Sequence, residues 1–265
     1  MRELPPKALV AMIALRALPE APLYDGDDQR IVDQALSDLE HYKRAGVDAV
    51  LLENDHDLPY AKGPMPEPAL EVVEQVCRAV RAEWSGPMGL QLLEAANEDA
   101  LSVAHATGLD FIRVEGFVYA HVGGAGLIDA CAGPLMRQRA KLGATHIKVF
   151  PDIHKKHCAH AIKGDLDIVL EARQAELFLA DGLVVTGRFT GEAADEADLR
   201  AVREASSLPI IIGSGMTPEN VDQLVPLADA FIVGSTFRKD GKYLEQTEPR
   251  RLEAFLGRFK RAAER

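Results

Sequence analysis

The stretch Asp152-Ile153-His154-Lys155-Lys156-His157 concentrates an acid, imidazoles and ammonium groups in one short segment. If a strand continues through it, Asp152, His154 and Lys156 share a face, because strand side chains alternate with period two. The carboxylate can then orient the histidine and the lysine can stabilise an anion, which suits proton transfer. The same residues also read as a solvated charged loop, or as Asp152 paired with Lys156 for structure alone. A divalent metal is a second chemistry. Glu53, Asp152, His154 and His157 are ligand types that could converge from adjacent strand ends, although no HxH, CxxC or HExxH spacing supports it. A Schiff base at Lys156 is a third, since neighbouring cations lower a lysine's pKa.

A different chemistry is suggested by Pro209-Ile210-Ile211-Ile212-Gly213-Ser214-Gly215-Met216-Thr217-Pro218 and by Ala230-Phe231-Ile232-Val233-Gly234-Ser235. Each is an apolar run ending in Gly-Ser. Ile210 to Ile212 is too apolar for a one-faced strand and reads as buried on both sides, as in a parallel sheet. Gly213 and Gly215 allow close backbone approach to a ligand. Thr217 reads as a helix N-cap with Pro218 at the first helical position. Backbone N–H groups of such loops suit an anion. The expected phosphate-binding set is Gly213, Ser214, Gly215, Gly234 and Ser235, joined by Gly187 in Thr186-Gly187. The plain alternative is that these glycines only make tight turns.

The elements that must carry these groups alternate. Strands are expected at Ala8 to Leu15, Ala49 to Leu52, Met88 to Leu93, Phe111 to Val114, from Ile147 onward, and at Leu183 to Val185, followed by the two glycine-ended runs. Between them apolar residues recur at helical spacing: Ile31, Val32, Ala35, Leu36 and Leu39; Val73, Val76 and Val80; then Glu98 to Thr107, Leu127 to Leu142, Leu166 to Leu179 and Leu199 to Ala205. Leu252, Phe255, Leu256 and Phe259 line a closing helix. Eight strand–helix alternations imply parallel strands and right-handed crossovers. With no GxGxxG after the first strand, a closed (β/α)8 TIM barrel is favoured over an open dinucleotide-binding sheet. Paired glycine loops at its seventh and eighth strands are a recurrent phosphate site in that fold. Chemistry there sits where the strands point, so Glu53 and Glu115, at the ends of the second and fourth strands, join the acid–base set.

The 265 residues match one such domain, expected over 1–265, with 47% hydrophobic and 27% charged residues. A net charge of −11 argues against nonspecific nucleic-acid binding. Cys77, Cys131 and Cys158 are odd in number and far apart, and read as reduced thiols of a cytoplasmic protein. No run is long enough to span a bilayer, and the apolar stretch after Lys7 is too short for a signal peptide. His41, His105, His121, His146 and Trp84 read as surface or packing residues.

At these positions the sequence resembles the BtpA/SgcQ family of phosphate-binding-type, ribulose-phosphate-binding-like barrels. The resemblance spans nearly the whole chain. It rests on Glu53-Asn54 with Asp57-Leu58-Pro59-Tyr60, on Phe111-Ile112-Arg113-Val114, and on Arg137 and Arg139. It continues through Asp152-Ile153-His154 with Lys156-His157, Thr186-Gly187 with Thr190-Gly191, Gly213-Ser214-Gly215 with Glu219-Asn220-Val221, and Gly234-Ser235 with Lys239-Asp240-Gly241. The sequence departs from the family pattern at Ala14, where a histidine is expected, at Glu20, at Glu115, where asparagine is usual, and at Gly123-Gly124-Ala125-Gly126, where an acidic turn is usual. The family implies two labels: photosystem I biogenesis, and enzymes associated with sugar use.

Together these readings lead to the expectation of an enzyme that binds a small phosphorylated sugar or nucleotide-like ligand. Lyase, isomerase or hydrolase chemistry would be run by Asp152, His154, Lys156, Glu53 and Glu115. The alternatives are an assembly factor for photosystem I and a barrel that binds a phosphorylated ligand without turnover. No cofactor is required by the sequence, a divalent metal stays open, and so does a homo-oligomer.

Overall fold

A computed structural model describes residues 2–155, 157–187 and 192–265. Eight strands form a closed parallel barrel. They are β1 (Ala8–Ala14), β2 (Ala49–Glu53), β3 (Met88–Gln91), β4 (Phe111–Val114), β7 (Lys148–Ile153), β8 (Leu183–Val185), β9 (Ile210–Ile212) and β10 (Ala230–Val233). The sheet runs in this order and closes where β10 pairs with β1. Helices α1 (Asp28–Ala45), α2 (Glu67–Glu83), α3 (Asn97–Thr107), α4 (Ala132–Lys141), α5 (Ile168–Leu177), α6 (Glu196–Ala205), α7 (Val221–Leu224) and α8 (Pro249–Ala263) alternate with them.

Period-two alternation divides the core. Outward residues such as Leu9, Val50, Leu90, Ile112, Val149, Leu183, Ile210 and Phe231 pack under the helices. Inward residues Ala8, Val10, Ala49, Leu51, Phe111, Phe150, Val184, Ile211, Ala230 and Ile232 fill the barrel's lower half. A side chain on Gly89 would overlap the Phe111 ring, so the glycine makes room for the Phe111–Phe150 pair, whose centroids are 5.4 Å apart. Burying each such ring contributes about 1.5–3 kcal/mol. With the lower half sealed by apolar groups, polar inward residues can only collect at the carboxyl ends of the strands.

The helices start and stop for local reasons. The Asp27 carboxylate accepts the Arg30 N–H at 3.1 Å at the start of α1, and Gly46 ends it at φ 73°. Asp167 and Asp195 cap α5 and α6 in the same way. The closing helix buries Leu252, Phe255, Leu256 and Phe259, as its spacing requires.

Two local expectations are corrected. Leu127 to Leu142 is not one helix. A two-stranded hairpin, β5 (His121–Gly123) and β6 (Gly126–Ile128), precedes α4. Gly124 and Ala125 make the turn, and Gly126, which opens β6, takes φ 98°, a conformation that favours glycine. Likewise Thr217 does not cap a helix, because α7 starts at Val221. Thr217, Pro218, Glu219 and Asn220 form a turn instead. The Asn220 side chain accepts the Thr217 N–H at 2.8 Å and donates to the Gly215 carbonyl at 2.8 Å, which fixes the glycine loop.

Candidate active site

The inward parity of β2, β3, β4 and β7 brings Glu53, Gln91, Arg113 and Asp152 to the barrel mouth. Asp152 and Arg113 are bound in a fork: Nε reaches Oδ2 and Nη2 reaches Oδ1, both at 2.9 Å. Glu53 Oε2 lies 3.9 Å from Arg113 Nη1. All three are buried. A bidentate, charge-assisted pair in a dry site is rigid. Asp152 is therefore an anchor for Arg113 rather than an orienter of His154.

The chain then leaves the strand. His154 adopts φ 51°, in the left-handed region, and its side chain is exposed. This break shifts the alternation by one residue. Lys155 is the ammonium that turns inward, its Nζ 2.8 Å from both Glu94 Oε1 and Glu115 Oε1. Lys156 lies outside the described residues, as do Arg188, Phe189, Thr190 and Gly191. The strand-continuation premise that grouped Asp152, His154 and Lys156 ends at Ile153. His154 instead packs against His160, with ring centroids 4.5 Å apart and the planes tilted by 59°, and lines a neighbouring cavity that also includes Thr186 and Gly187.

Glu115 is placed with care. Asn97 Nδ2 donates to its carbonyl at 2.7 Å and Asn97 Oδ1 accepts its N–H at 3.1 Å. Its carboxylate accepts from Ala95 N at 2.9 Å and from Gln91 Nε2 at 3.3 Å. Burial drives the Glu115 carboxyl above its ordinary pKa despite the Lys155 ammonium beside it. Glu94 moves the other way. Burial pushes it up, but the hydrogen bond and charge of Lys155 and the Ala125 N–H hold it below the usual value. Two carboxyls on one ammonium, pushed apart in opposite directions, form the arrangement expected of an acid–base site. For Lys155, desolvation is outweighed by the two glutamates, and its pKa is held above the ordinary lysine range. A charged ammonium is an electrophilic partner, not a Schiff-base nucleophile.

These groups open into a cavity of about 370 Å³. Gly213, Ser214, Gly215, Gly234 and Ser235 line it together with Glu53, Gln91, Arg113, Glu115 and Lys155. Gly187 lines the adjoining cavity instead. The N–H groups of Ser214 and Gly215 make no hydrogen bond to the described residues. Ser235 and Thr236 begin the 3-10 helix Ser235–Phe237, whose first donors have no partner within the helix. The glycines also have packing duties. A side chain would strike Val184 and Thr186 at Gly213, the Glu192 carbonyl at Gly215 and the Met12 methyl at Gly234.

Tyr60 and Tyr243 complete the rim. Their hydroxyls are 2.6 Å apart, and the Tyr243 hydroxyl donates to Asp55 Oδ1 at 2.7 Å. Burial and the Asp55 charge push the Tyr243 pKa up, so it stays protonated. Asn54 joins the ends of β2 and β3 by accepting the Leu93 N–H at 2.7 Å. Asn54 and Asp57, which carry part of the family resemblance, are thus structural, with Asp57 accepting the Leu18 N–H at 2.7 Å.

The four-residue metal set is not assembled. Arg113 occupies both oxygens of Asp152, and His154 is exposed and lines the adjoining cavity, not the one that Glu53 lines. Among the described residues no group of three or more His, Cys, Asp or Glu side chains is arranged to hold a metal.

A parallel eight-stranded barrel with its polar groups gathered at the carboxyl ends of its strands places the molecule among the (β/α)8 barrels, built like those that carry a site at the mouth. The chain belongs to the BtpA family, whose profile matches residues 5–261. An uncharacterised mitochondrial protein of Caenorhabditis elegans is 40% identical over 92% of this chain and 90% of its own length. The Synechocystis protein called photosystem I biogenesis protein BtpA is 26% identical over 94% and 86%. Among solved structures, thiamine phosphate pyrophosphorylase from Pyrococcus furiosus aligns with TM-score 0.59 and 14% identity, covering 97% and 96% of the two chains. A structure described as native KDPGal aligns with TM-score 0.60 and 17% identity, covering both chains fully. At these identities the structural likeness establishes the fold alone. No described helix is long and apolar enough to cross a membrane.

Proposed function

We propose that the protein is an enzyme acting on a small phosphorylated ligand by proton transfer at the barrel mouth. The observation that carries this is the shared cavity. Loop N–H groups with no partner among the described residues line it, as do Glu115 and Lys155. The phosphate is held by the backbone of Ser214, Gly215, Ser235 and Thr236. Glu115, its basicity raised by burial, takes a proton from a carbon beside a carbonyl. For a 2-hydroxy carbonyl ligand the Lys155 ammonium stabilises the enediolate oxygen; the proton returns to the former carbonyl carbon while the neighbouring hydroxyl passes its proton to that oxygen and becomes the new carbonyl, which completes an isomerisation. Arg113, fixed by Asp152, adds a second positive group. The names of structural neighbours such as thiamine phosphate pyrophosphorylase and N-(5'-phosphoribosyl)anthranilate isomerase are compatible with a phosphorylated ligand.

The test is incubation with a panel of sugar phosphates in deuterated water, followed by NMR. Deuterium uptake or turnover that disappears in Glu115→Gln supports the reading. Phosphate binding with no exchange on any compound would favour a ligand-binding barrel without turnover. The name of the Synechocystis relative favours a second reading, an assembly factor. That reading leaves the buried charges of the mouth without a use, and it gains if a variant emptied of Glu115 and Lys155 retains full function in the cell.

A further inference from the structure

Among the described residues, the mouth holds a buried acceptor that no donor satisfies. Glu53 and Gln91 are register partners on β2 and β3, and both face inward. Gln91 is 2% exposed, and its Nε2 is committed to Glu115 Oε1 at 3.3 Å. Turning the amide over would set its oxygen against that carboxylate, so Oε1 is fixed on the other side. There it has no hydrogen-bond partner among the described residues. A buried amide oxygen without a donor is costly, and one that opens onto a cavity is placed to take a donor from what binds there. Charge tells the same story. The cluster sets Arg113 and Lys155 against Glu53, Glu94, Glu115 and Asp152. Among the described residues, two cations face four carboxylates in a site mostly shielded from water.

We propose that the ligand is a small phosphate ester that also carries a protonated nitrogen, its phosphate on the glycine loops and its nitrogen between the Gln91 amide oxygen and the Glu53 and Glu115 carboxylates. This rests on the phosphate reading above and narrows its substrate class. A neutral hydroxyl would satisfy Gln91 but leave the excess negative charge. A protonated nitrogen supplies the missing donors and the missing charge together, through charge-assisted hydrogen bonds. The opposed arrangement also orients the ligand, since neither end fits the other's wall.

Calorimetry with EDTA present tests this, using inorganic phosphate and a graded series of aminoalkyl phosphates beside the matching hydroxyalkyl phosphates. The expected result is that at least one aminoalkyl phosphate binds roughly tenfold or more tightly than its hydroxyl counterpart. In Gln91→Met that ratio should shrink severalfold, and a ratio within one variant does not depend on its overall stability. Equal or better binding of every hydroxyl compound by the wild type overturns the proposal, as does an amine preference unaltered by Gln91→Met. Phosphate binding without amine preference would overturn this inference alone. Absence of all phosphate binding would overturn the site reading beneath it as well.

Discussion

Lys155 Nζ stands 2.8 Å from Glu115 Oε1 in the buried mouth, and the same ammonium holds Glu94 at the same distance. Removing the cation leaves two carboxylates facing each other in low dielectric. Lys155→Met should abolish turnover and cost about 3–5 kcal/mol at neutral pH, the usual penalty for stranding a buried charge. The sign of the pH dependence is definite. Lys155 favours the ionised form of both glutamates, so its removal raises both folded pKa values relative to wild type. The deficit is therefore complete at neutral pH and above the variant's folded values, shrinks as pH falls and the carboxyls protonate, and for Glu94 vanishes only below its lowered wild-type value. Urea unfolding of wild type and variant across pH measures it. A pH-independent deficit would contradict the pairing.

The Asp152–Arg113 fork makes a separate claim, that Asp152 positions and does not transfer protons. Asp152→Asn should destabilise by about 3 kcal/mol or more, because Arg113 loses its main counter-charge. An additional Arg113→Met change should recover part of that loss, with a coupling of about 1 kcal/mol or more in the double-mutant cycle. Additive effects would dismiss the fork as an energetic unit.

His121 is buried on the hairpin and its ring lies near that of His160, with centroids 5.9 Å apart and the planes tilted by 46°. Burial and the facing cations Lys155, His160 and Lys163 push its pKa down to about 4, with Glu94 opposing them. A depressed folded pKa means the neutral ring's contribution is complete above about 6.5 and is lost as pH falls toward 4. Acid should cost the hairpin up to roughly 3 kcal/mol. Protection factors of residues 121–128, corrected for the intrinsic exchange rate at each pH, should fall between pH 7 and pH 5 more than those of the rest of the barrel, and His121→Phe should flatten that difference. A uniform fall along the chain would refute a local origin.

Two glycines of the phosphate loops should respond differently to alanine. Gly215 sits at φ 79° against the Glu192 carbonyl, and neither backbone can yield cheaply. Gly215→Ala should cost more than about 1 kcal/mol. At Gly234 the obstacle is the tip of the flexible Met12 side chain, so Gly234→Ala should fold with a smaller loss. Thermal melts rank the two, and the reverse order would contradict the packing.

The barrel was legible because its signals are repetitive. Apolar strands of three to seven residues with both faces buried, such as Ile210–Ile212 and Ala8–Ala14, leave little choice of architecture. Glu53, Glu115 and the Gly213 to Gly215 loop followed from strand-end position. Arg113 carried a readable signal too, as a charge between Ile112 and Val114 whose inward face demands a counter-ion. Lys155 did not. The left-handed His154 breaks the period-two rule just where it was needed, and nothing in Asp-Ile-His-Lys-Lys-His announces that break. The hairpin was obscured because Ile128 and Leu135 happen to fall at helical spacing. Tyr243 could not be foreseen, since its partner Asp55 comes from the opposite end of the chain.

A crystal structure grown with phosphate addresses the site itself. A tetrahedral anion is expected within hydrogen-bond distance, about 2.7–3.2 Å, of the Ser214, Gly215, Ser235 and Thr236 N–H groups, with Lys155 still on Glu115 across the cavity. An anion bound elsewhere, or those N–H groups bare at saturating phosphate, would contradict it.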